Sequence, residues 1–317
     1  MTSSSIIVAC FHGVTHKLRF TASQLSRCLL LSILVLQISG ASPLSAERRA
    51  QMTRKEADGS LLETGNYSKR RSTTAPVEIK IISYNIRYRG GDELRELIQM
   101  LRTSPELGGA SIIGLQEVDR DRKRSGGENT ARVIAEGLGM NYAWAAPPRT
   151  RDEQVEDETG VALFSAYPLT DVERIVLPVA GPGGRRRVAL GASLLINNTK
   201  IRVYTVHAET RITVEQKLEQ QRRVLQSLAS RQDVKHVVVL GDLNTIEPKT
   251  ISATTRLFTD AGFTTPFPED RPTWKTFVLE LKLDWIWLRG FKETRGSGIV
   301  NSVNFSDHWP LWVTVKL

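Results

Sequence analysis

The stretch "VVVLGDLNT", Val237 to Thr245, decides how this chain is read. An apolar run reaches Gly241 and then presents a carboxylate, Asp242, and a carboxamide, Asn244, two residues apart. Gly, Asp and Asn are ordinary residues for leaving a strand, so a plain turn is one reading. The other is an active site at the carboxyl end of a buried strand. Which of the two holds depends on whether other strands end the same way.

Several do. "VEIKIISYN" alternates from Val77 and closes on Asn85, the pattern of a half-buried strand. "ASIIGLQEVD" is a short buried strand closing on Glu117. "RVALGASLLINNTKIRVYTVH" reads as two strands around an Asn-Asn-Thr hairpin turn, the second closing on His207. Asp284 lies inside the strand "LDWIW", and Asp307 and His308 precede the last strand in "SDHWPLW". Between them lie helices. "GDELRELIQMLR" sets Leu94, Leu97, Ile98 and Leu101 on one face, "NTARVIAEGLG" stops at Gly139, and "TVEQKLEQQRRVLQSLASRQ" is long and amphipathic. A hairpin excludes an all-parallel doubly wound sheet. The expected class is α/β (α+β), with two packed, mostly antiparallel sheets flanked by helices.

Each strand-end residue alone has a dull explanation as a turn or solvated group. Together they bring metal ligands and proton carriers from separate strands, which suits phosphoester hydrolysis. A hard divalent cation such as Mg²⁺ takes oxygen ligands, which Glu117, Asp307 and Asn85 supply. Asp242 could accept a proton from an attacking water. Asn244 and an imidazole could donate to charge developing on the phosphoryl oxygens. Asp284 could hold His308 in one tautomer and stabilise its charged form.

The ordered motifs "SYNIR", "GLQEVD", "VALFSAYPL", "VH", "LGDLNT", "LDWIW" and "SDHWPL" resemble the endonuclease/exonuclease/phosphatase superfamily over about residues 77 to 317. The resemblance, nearest to the compact bacterial branch, implies a four-layer α/β/β/α sandwich. It implies Asn85, Glu117 and Asp307 on the metal side, with Mg²⁺ or Mn²⁺ as cofactor. It implies His207 as a phosphate contact, Asp242 and Asn244 as the water-activating and transition-state pair, and Asp284 with His308 as the Asp-His pair. Asp242 and His308 stay open as alternative general bases. The implied activity is phosphodiester hydrolysis by direct water attack, nuclease-like or, as the alternative, on a lipid head group or small molecule in the manner of sphingomyelinases. A third alternative is a binding module that has lost catalysis, which the intact Glu117, Asp242, Asn244 and His308 oppose. The substrate is then a nucleic acid or a phospholipid head group. No protein partner is called for, and a monomer is expected.

The chain departs from the family after His207, where "AET" introduces Glu209 without an evident role. "GGRRRVAL" offers Arg185, Arg186 and Arg187 as a phosphate clamp, since Arg forks match phosphate oxygens. Arg120, Arg122, Lys123 and Arg124 are a second candidate set, with a solvated loop as the plain alternative to both. Of the late tryptophans, Trp274 or Trp309 could line the cleft and the others are expected in the core.

The 317 residues carry a net charge of +9, with 40% hydrophobic and 24% charged residues. Residues 1–75 hold ten Lys/Arg against four Asp/Glu, so most of the excess lies outside the expected body and argues weakly for a duplex-binding face. Cys10 and Cys28 also lie there, which leaves the body without a disulfide or Cys-ligated metal. Residues 28–38, "CLLLSILVLQI", follow Lys17, Arg19 and Arg27 and precede small residues, the order of a secretory leader. At about 1.5 Å per residue that run is too short for a hydrocarbon core of about 30 Å. Residues 1–46 are therefore expected as a leader, cleaved after Ala41 or Ala46, or as a retained N-terminal anchor. The protein is expected to be exported, to the periplasm or beyond. Residues 47–75 are polar and aperiodic and are expected to be a flexible linker before a catalytic domain over 76–317.

Overall fold

The run Val237 to Leu240 is apolar at every position, and the fold shows why. In the computed structural model, which describes residues 61–68, 78–149, 158–231 and 233–317, it sits inside a strand covered on both faces. Val238 and Leu240 join one buried cluster, Val237 and Val239 a second. Successive side chains of a strand point to opposite faces, so a strand with no wet face cannot alternate polar and apolar.

The elements run β1 (Leu62–Gly65), β2 (Glu78–Asn85), α1 (Gly91–Thr103), β3 (Ile112–Arg120), α2 (Thr130–Leu138), β4 (Asn141–Ala145) and β5 (Glu158–Ser165). They continue β6 (Thr170–Val176), β7 (Val188–Ile196), β8 (Thr199–His207), α3 (Val214–Ala229), β9 (His236–Asp242) and α4 (Pro248–Asp260). The last are β10 (Trp274–Lys275), β11 (Glu280–Leu281), β12 (Asp284–Arg289), β13 (Glu293–Ile299) and β14 (Leu311–Lys316). A seven-stranded sheet has the order β1-β4-β5-β3-β2-β14-β13, and a five-stranded sheet the order β12-β9-β8-β7-β6. Among the described residues only β2 with β3 and β8 with β9 pair in parallel. β10 and β11 form a small separate hairpin.

The layers are helix, sheet, sheet, helix, as expected from the sequence. Leu94, Leu97, Ile98 and Leu101 of α1 and Ala131, Ile134 and Ala135 of α2 are buried in the cluster that also fills the space between the sheets. On the far side, Val224 and Leu228 of α3 and Phe258 of α4 pack with Tyr204, Val206, Trp285 and Trp287. The Phe258 ring stacks on Trp287 at 4.8 Å and 4°. Each fully buried side chain of this size contributes about 1.5–3 kcal/mol of burial. The β7–β8 turn carries Asn197 and Asn198 at φ 49 and 59, the left-handed pair a two-residue hairpin requires.

Two sequence expectations need correcting. The linker over 47–75 is not aperiodic throughout, because Leu62–Gly65 adds an edge strand to β4. Leu61 is buried in the core and Leu62 packs against it, and a polar residue adds further ties. Glu63 accepts hydrogen bonds from Asn129 and Tyr142 and pairs with Arg120 at 3.0 Å. Second, Glu117 does not close its strand. β3 continues to Arg120, with a register shift between Gln116 and Val118. β4, β6 and β13 were not read in advance, nor was α4, whose buried face is Thr250, Thr254 and Phe258 and so is mostly polar in composition. Residues 1–46, with the expected leader, lie outside the described residues. Among the described residues no helix is long and apolar enough to cross a membrane.

Candidate active site

Sheet register decides which strand ends meet. Asp242 ends β9 opposite His207 on β8 and opposite Asp284 at the start of β12. Asn85 ends β2 beside Gln116 of β3. These edges border a cleft of about 280 Å³ whose lining includes Glu117, Asp307, Arg87, Arg187, Asp242, Asn244, His207, His308 and Trp274.

The bend that opens this stretch is built by two left-handed residues. Gly241 has φ 131, and a Cβ there would stand 2.1 Å from the carbonyl oxygen of Val206. No other residue fits. Asn244 has φ 51, a conformation that Asn tolerates, and its amide donates to Asp242 Oδ1 at 3.0 Å. Its side-chain Nδ2 donates to the carbonyl of Ala208 at 2.9 Å. Its own carbonyl accepts from the buried Lys217 Nζ at 2.8 Å, which also bonds the carbonyls of Glu209 and Thr210. Turn chemistry thus fixes Asp242 in place rather than merely ending a strand.

Around Asp242 stand three groups. Asn85 Nδ2 donates to its Oδ2 at 3.2 Å, His207 Nε2 lies 3.6 Å away and His308 Nε2 3.8 Å away. Burial, helped by Asp284, drives the Asp242 carboxyl up to about 7 against the pull of His308. His308 shows the opposite balance. Burial disfavours its charged form, but Asp284, bonded to Nδ1 at 2.8 Å, outweighs this and raises it to about 9. Thr273 orients Asp284. Its hydroxyl donates to Asp284 Oδ2 at 2.8 Å and accepts from the amides of Leu283 and Asp284. His207 is driven well below its ordinary range by burial, with Arg187, His308 and Arg185 adding repulsion, so its imidazole is neutral.

The opposite wall is oxygen-rich and partly open. Glu117 sits in the β3 irregularity at φ 57, where the bulge re-aims its side chain. Asn85 Nδ2 reaches Glu117 Oε1 at 3.3 Å. Asp307 is ion-paired with Arg87 at 3.2 Å, both partly exposed. The carboxylates of Glu117 and Asp307, with solvent access, fit a hard divalent cation that keeps waters. The Asn85 oxygen expected among the ligands instead accepts the Arg87 amide at 3.1 Å, and its nitrogen faces Glu117, so here Asn85 orients the carboxylate. Asp242, Asp284 and His308 also lie close enough together to suggest a metal group. Their hydrogen bonds point instead to a proton relay, because the Asp284 oxygen facing His308 is already shared with Thr273.

The three-arginine clamp does not assemble. Arg187 lines the cleft, Arg185 bears on His207 through its charge without lining the cleft, and Arg186 is exposed away from the cleft lining. Three consecutive residues of an extended chain cannot face one way. Arg120 and Arg124 also stand outside the cleft lining. Arg120 pairs with Glu63 and Glu158 and covers Trp144, while Arg124 is held by Asp119 and covers Tyr88. Arg122 and Lys123 do not line the cleft either. Of the tryptophans, Trp274 lines it, edge-on to His308, whereas Trp309 is buried. Sequence reasoning missed Arg87 and Thr273. Arg87 was visible in "SYNIR", but Thr273 is far from its partner in sequence and no pattern marks it.

Solved structures share this architecture. An endonuclease/exonuclease/phosphatase family protein from Leptotrichia buccalis is 17% identical with a TM-score of 0.58, covering 75% of this chain and all of that one. TDP2 from D. rerio complexed with a single-strand DNA product is 18% identical at 0.58, covering 76% and 99%. The human Nocturnin catalytic domain with bound sulfate is 18% identical at 0.58, covering 80% and 96%. At such identities these likenesses establish the fold. No curated protein matches the sequence. The model of the Endonuclease/Exonuclease/phosphatase family matches residues 82–308, and with the two-sheet fold and the strand-end constellation it follows that this chain belongs to that family of phosphoesterases.

Proposed function

We propose that the protein is a divalent-cation-dependent phosphodiesterase that hydrolyses its substrate by direct water attack, with a nucleic acid as the substrate class. The observation that carries this reading is the relay Asp242–His308–Asp284 opening onto a cleft whose far wall holds Glu117 and Asp307. With a pKa near neutrality, Asp242 can take the proton of an attacking water at working pH. The charged His308, held by Asp284, donates to a phosphoryl oxygen or to the leaving group. The neutral His207 and the second amide hydrogen of Asn244 donate to the same developing charge. A Mg²⁺ or Mn²⁺ ion held by Glu117 and Asp307, with Asn85 beside them, would neutralise phosphoryl charge as a Lewis acid. Trp274 offers a face on which a base can stack, and TDP2 with its DNA product supports a nucleic-acid substrate by analogy.

A second reading, a lipid head-group phosphodiesterase, rests on one observation. Phe277, Val278 and Leu279, between β10 and β11, are 103%, 85% and 50% exposed, and the adjoining Trp274 and Leu281 line the cleft. A contiguous exposed apolar tip beside an active site suits an amphiphilic substrate.

Purified protein assayed with Mg²⁺ and with EDTA against bis(para-nitrophenyl) phosphate, plasmid DNA and sphingomyelin vesicles tests both. Mg²⁺-dependent cleavage of DNA over vesicles is expected, preference for vesicles moves the substrate to lipid, and no turnover of any of them overturns the enzyme reading. We also propose export. Recovery of the protein from the cytosol with residues 1–46 still attached would overturn that.

A further inference from the structure

The departure "AET" after His207 acquires a role once the fold is built. Val188 pairs with His207, so Arg187, the residue before β7, lies across from the residues that follow β8. Glu209 is among them, and its carboxylate is divided between two tasks. Oε1 accepts the amides of Thr210 and Arg211 at 2.9 and 3.2 Å. Oε2 accepts Arg187 Nε at 3.0 Å. The pair is well shielded, with Arg187 20% and Glu209 7% exposed.

The surroundings hold the carboxylate rigidly. Gly181 packs its backbone so closely that a Cβ there would lie 2.5 Å from Glu209 Cδ. Gln220 of α3 accepts the Glu209 amide at 2.9 Å and donates to the carbonyls of Pro178 and Val179, tying this turn to the loop before Arg187. Burial alone would favour a neutral Glu209, yet Arg187 and the two amides keep its carboxyl below the ordinary range, so the pair is ionic. Among the described residues the Arg187 side chain has no other hydrogen-bond or ion-pair partner. Its Nη groups remain available to a ligand in the cleft it lines with His207 and Asp242.

We propose that Glu209 is a positioning residue that locks Arg187 through Nε, so that the two Nη groups present a fixed fork to the non-bridging oxygens of the substrate phosphate. This rests on the phosphoesterase reading and adds to it how the substrate is held. A free Arg side chain must lose rotamer freedom when it binds. One fixed by a carboxylate and packed backbone has already lost it. The contribution is to binding, so it falls on KM rather than kcat.

The test is a double-mutant cycle on the full-length protein. Glu209→Gln keeps the side chain's volume and removes the ionic lock. It should raise KM for bis(para-nitrophenyl) phosphate about ten-fold with kcat within about two-fold, and weaken inhibition by inorganic phosphate by a similar factor. In an Arg187→Met background the same change should do nothing further. Equal losses in both backgrounds, or a fall in kcat at constant KM, would show that Glu209 only shapes its own turn. Arg187→Lys provides a second route, since it keeps the charge without the Nε donor. The same rise in KM is expected, and wild-type KM overturns the proposal. Calorimetric titration with inorganic phosphate reads the same coupling without turnover. Absent activity would thus count against the phosphoesterase reading, and absent coupling against Glu209.

Discussion

The two walls of the cleft solve opposite problems. One wall, on the five-stranded sheet, buries Asp242 and Asp284 almost completely, with the buried His308 bonded to Asp284 and 3.8 Å from Asp242. The other, on the seven-stranded sheet and the segment before β14 that also delivers His308, leaves Glu117 and Asp307 partly open, with Arg87 as the ion partner of Asp307. Burial shifts protonation equilibria, which suits groups that must exchange protons near neutral pH. Partial exposure leaves carboxylate oxygens open to water and ligands, which suits groups that must bind a cation. The strained Glu117 belongs to the open wall and the strained Gly241 bend to the buried one, so each wall has its own backbone device for aiming a side chain.

This contrast can be broken most severely at Asp242. Asp242→Asn should cut turnover by about three to four orders of magnitude while leaving the folded state about as stable, because a carboxyl already driven toward neutrality is replaced by a neutral group. Stopped-assay rates and a melting curve measure both, and an unchanged rate would remove Asp242 from the chemistry. On the open wall, Glu117→Gln should lower activity at fixed Mg²⁺ by about two to three orders, with part restored by raising Mg²⁺. A loss indifferent to Mg²⁺ would place Glu117 outside the metal site.

The third prediction concerns Lys282, buried beside Asp284 with its ammonium 4.3 Å from the centroid of the Trp285 ring. Burial lowers its pKa to about 8. The unfolded chain then holds this proton more tightly than the folded one, so the contribution of Lys282 to stability rises with pH between about 8 and 10.5, by up to about 3 kcal/mol. Chemical denaturation of wild type and Lys282→Met across that range should show the wild type gaining on the variant. Parallel profiles would refute the shift. The smallest effect is expected from Thr273→Val, which strips Asp284 of one partner and two amides of their acceptor. It should cost about 2 kcal/mol of stability, and turnover should fall about ten-fold as His308 loses its fixed orientation. A stability loss with full turnover would limit Thr273 to a structural role.

How much of this was legible depends on where each residue's partner lies. Asn85, Asp242 and His207 end apolar runs, and runs are visible in one dimension. Glu117 was visible as a residue, but its strand continues past it. A bulge is set by pairing with β5, not by local composition. The arginines at 185–187 looked equivalent in sequence. The strand period and the β7–β8 register single out Arg187. Thr273 and Glu63 are polar residues whose roles exist only once distant charges reach them.

By itself, then, the sequence determined the layer order and the chemical inventory. Burial on two faces demands unbroken apolar strands, and oxygen-based chemistry demands acids and amides where those strands stop. Tertiary structure alone decided which of these groups touch. The register of β8, β9 and β12 brings His207, Asp242 and Asp284 side by side, and the Gly241–Asn244 bend holds Asp242 within reach of His308. Contacts between residues tens of positions apart are fixed by pairing and packing, which no local stretch encodes. In "VVVLGDLNT" the turn residues and the candidate catalytic residues prove to be the same atoms, because the hydrogen bond that shapes the bend also positions the carboxylate.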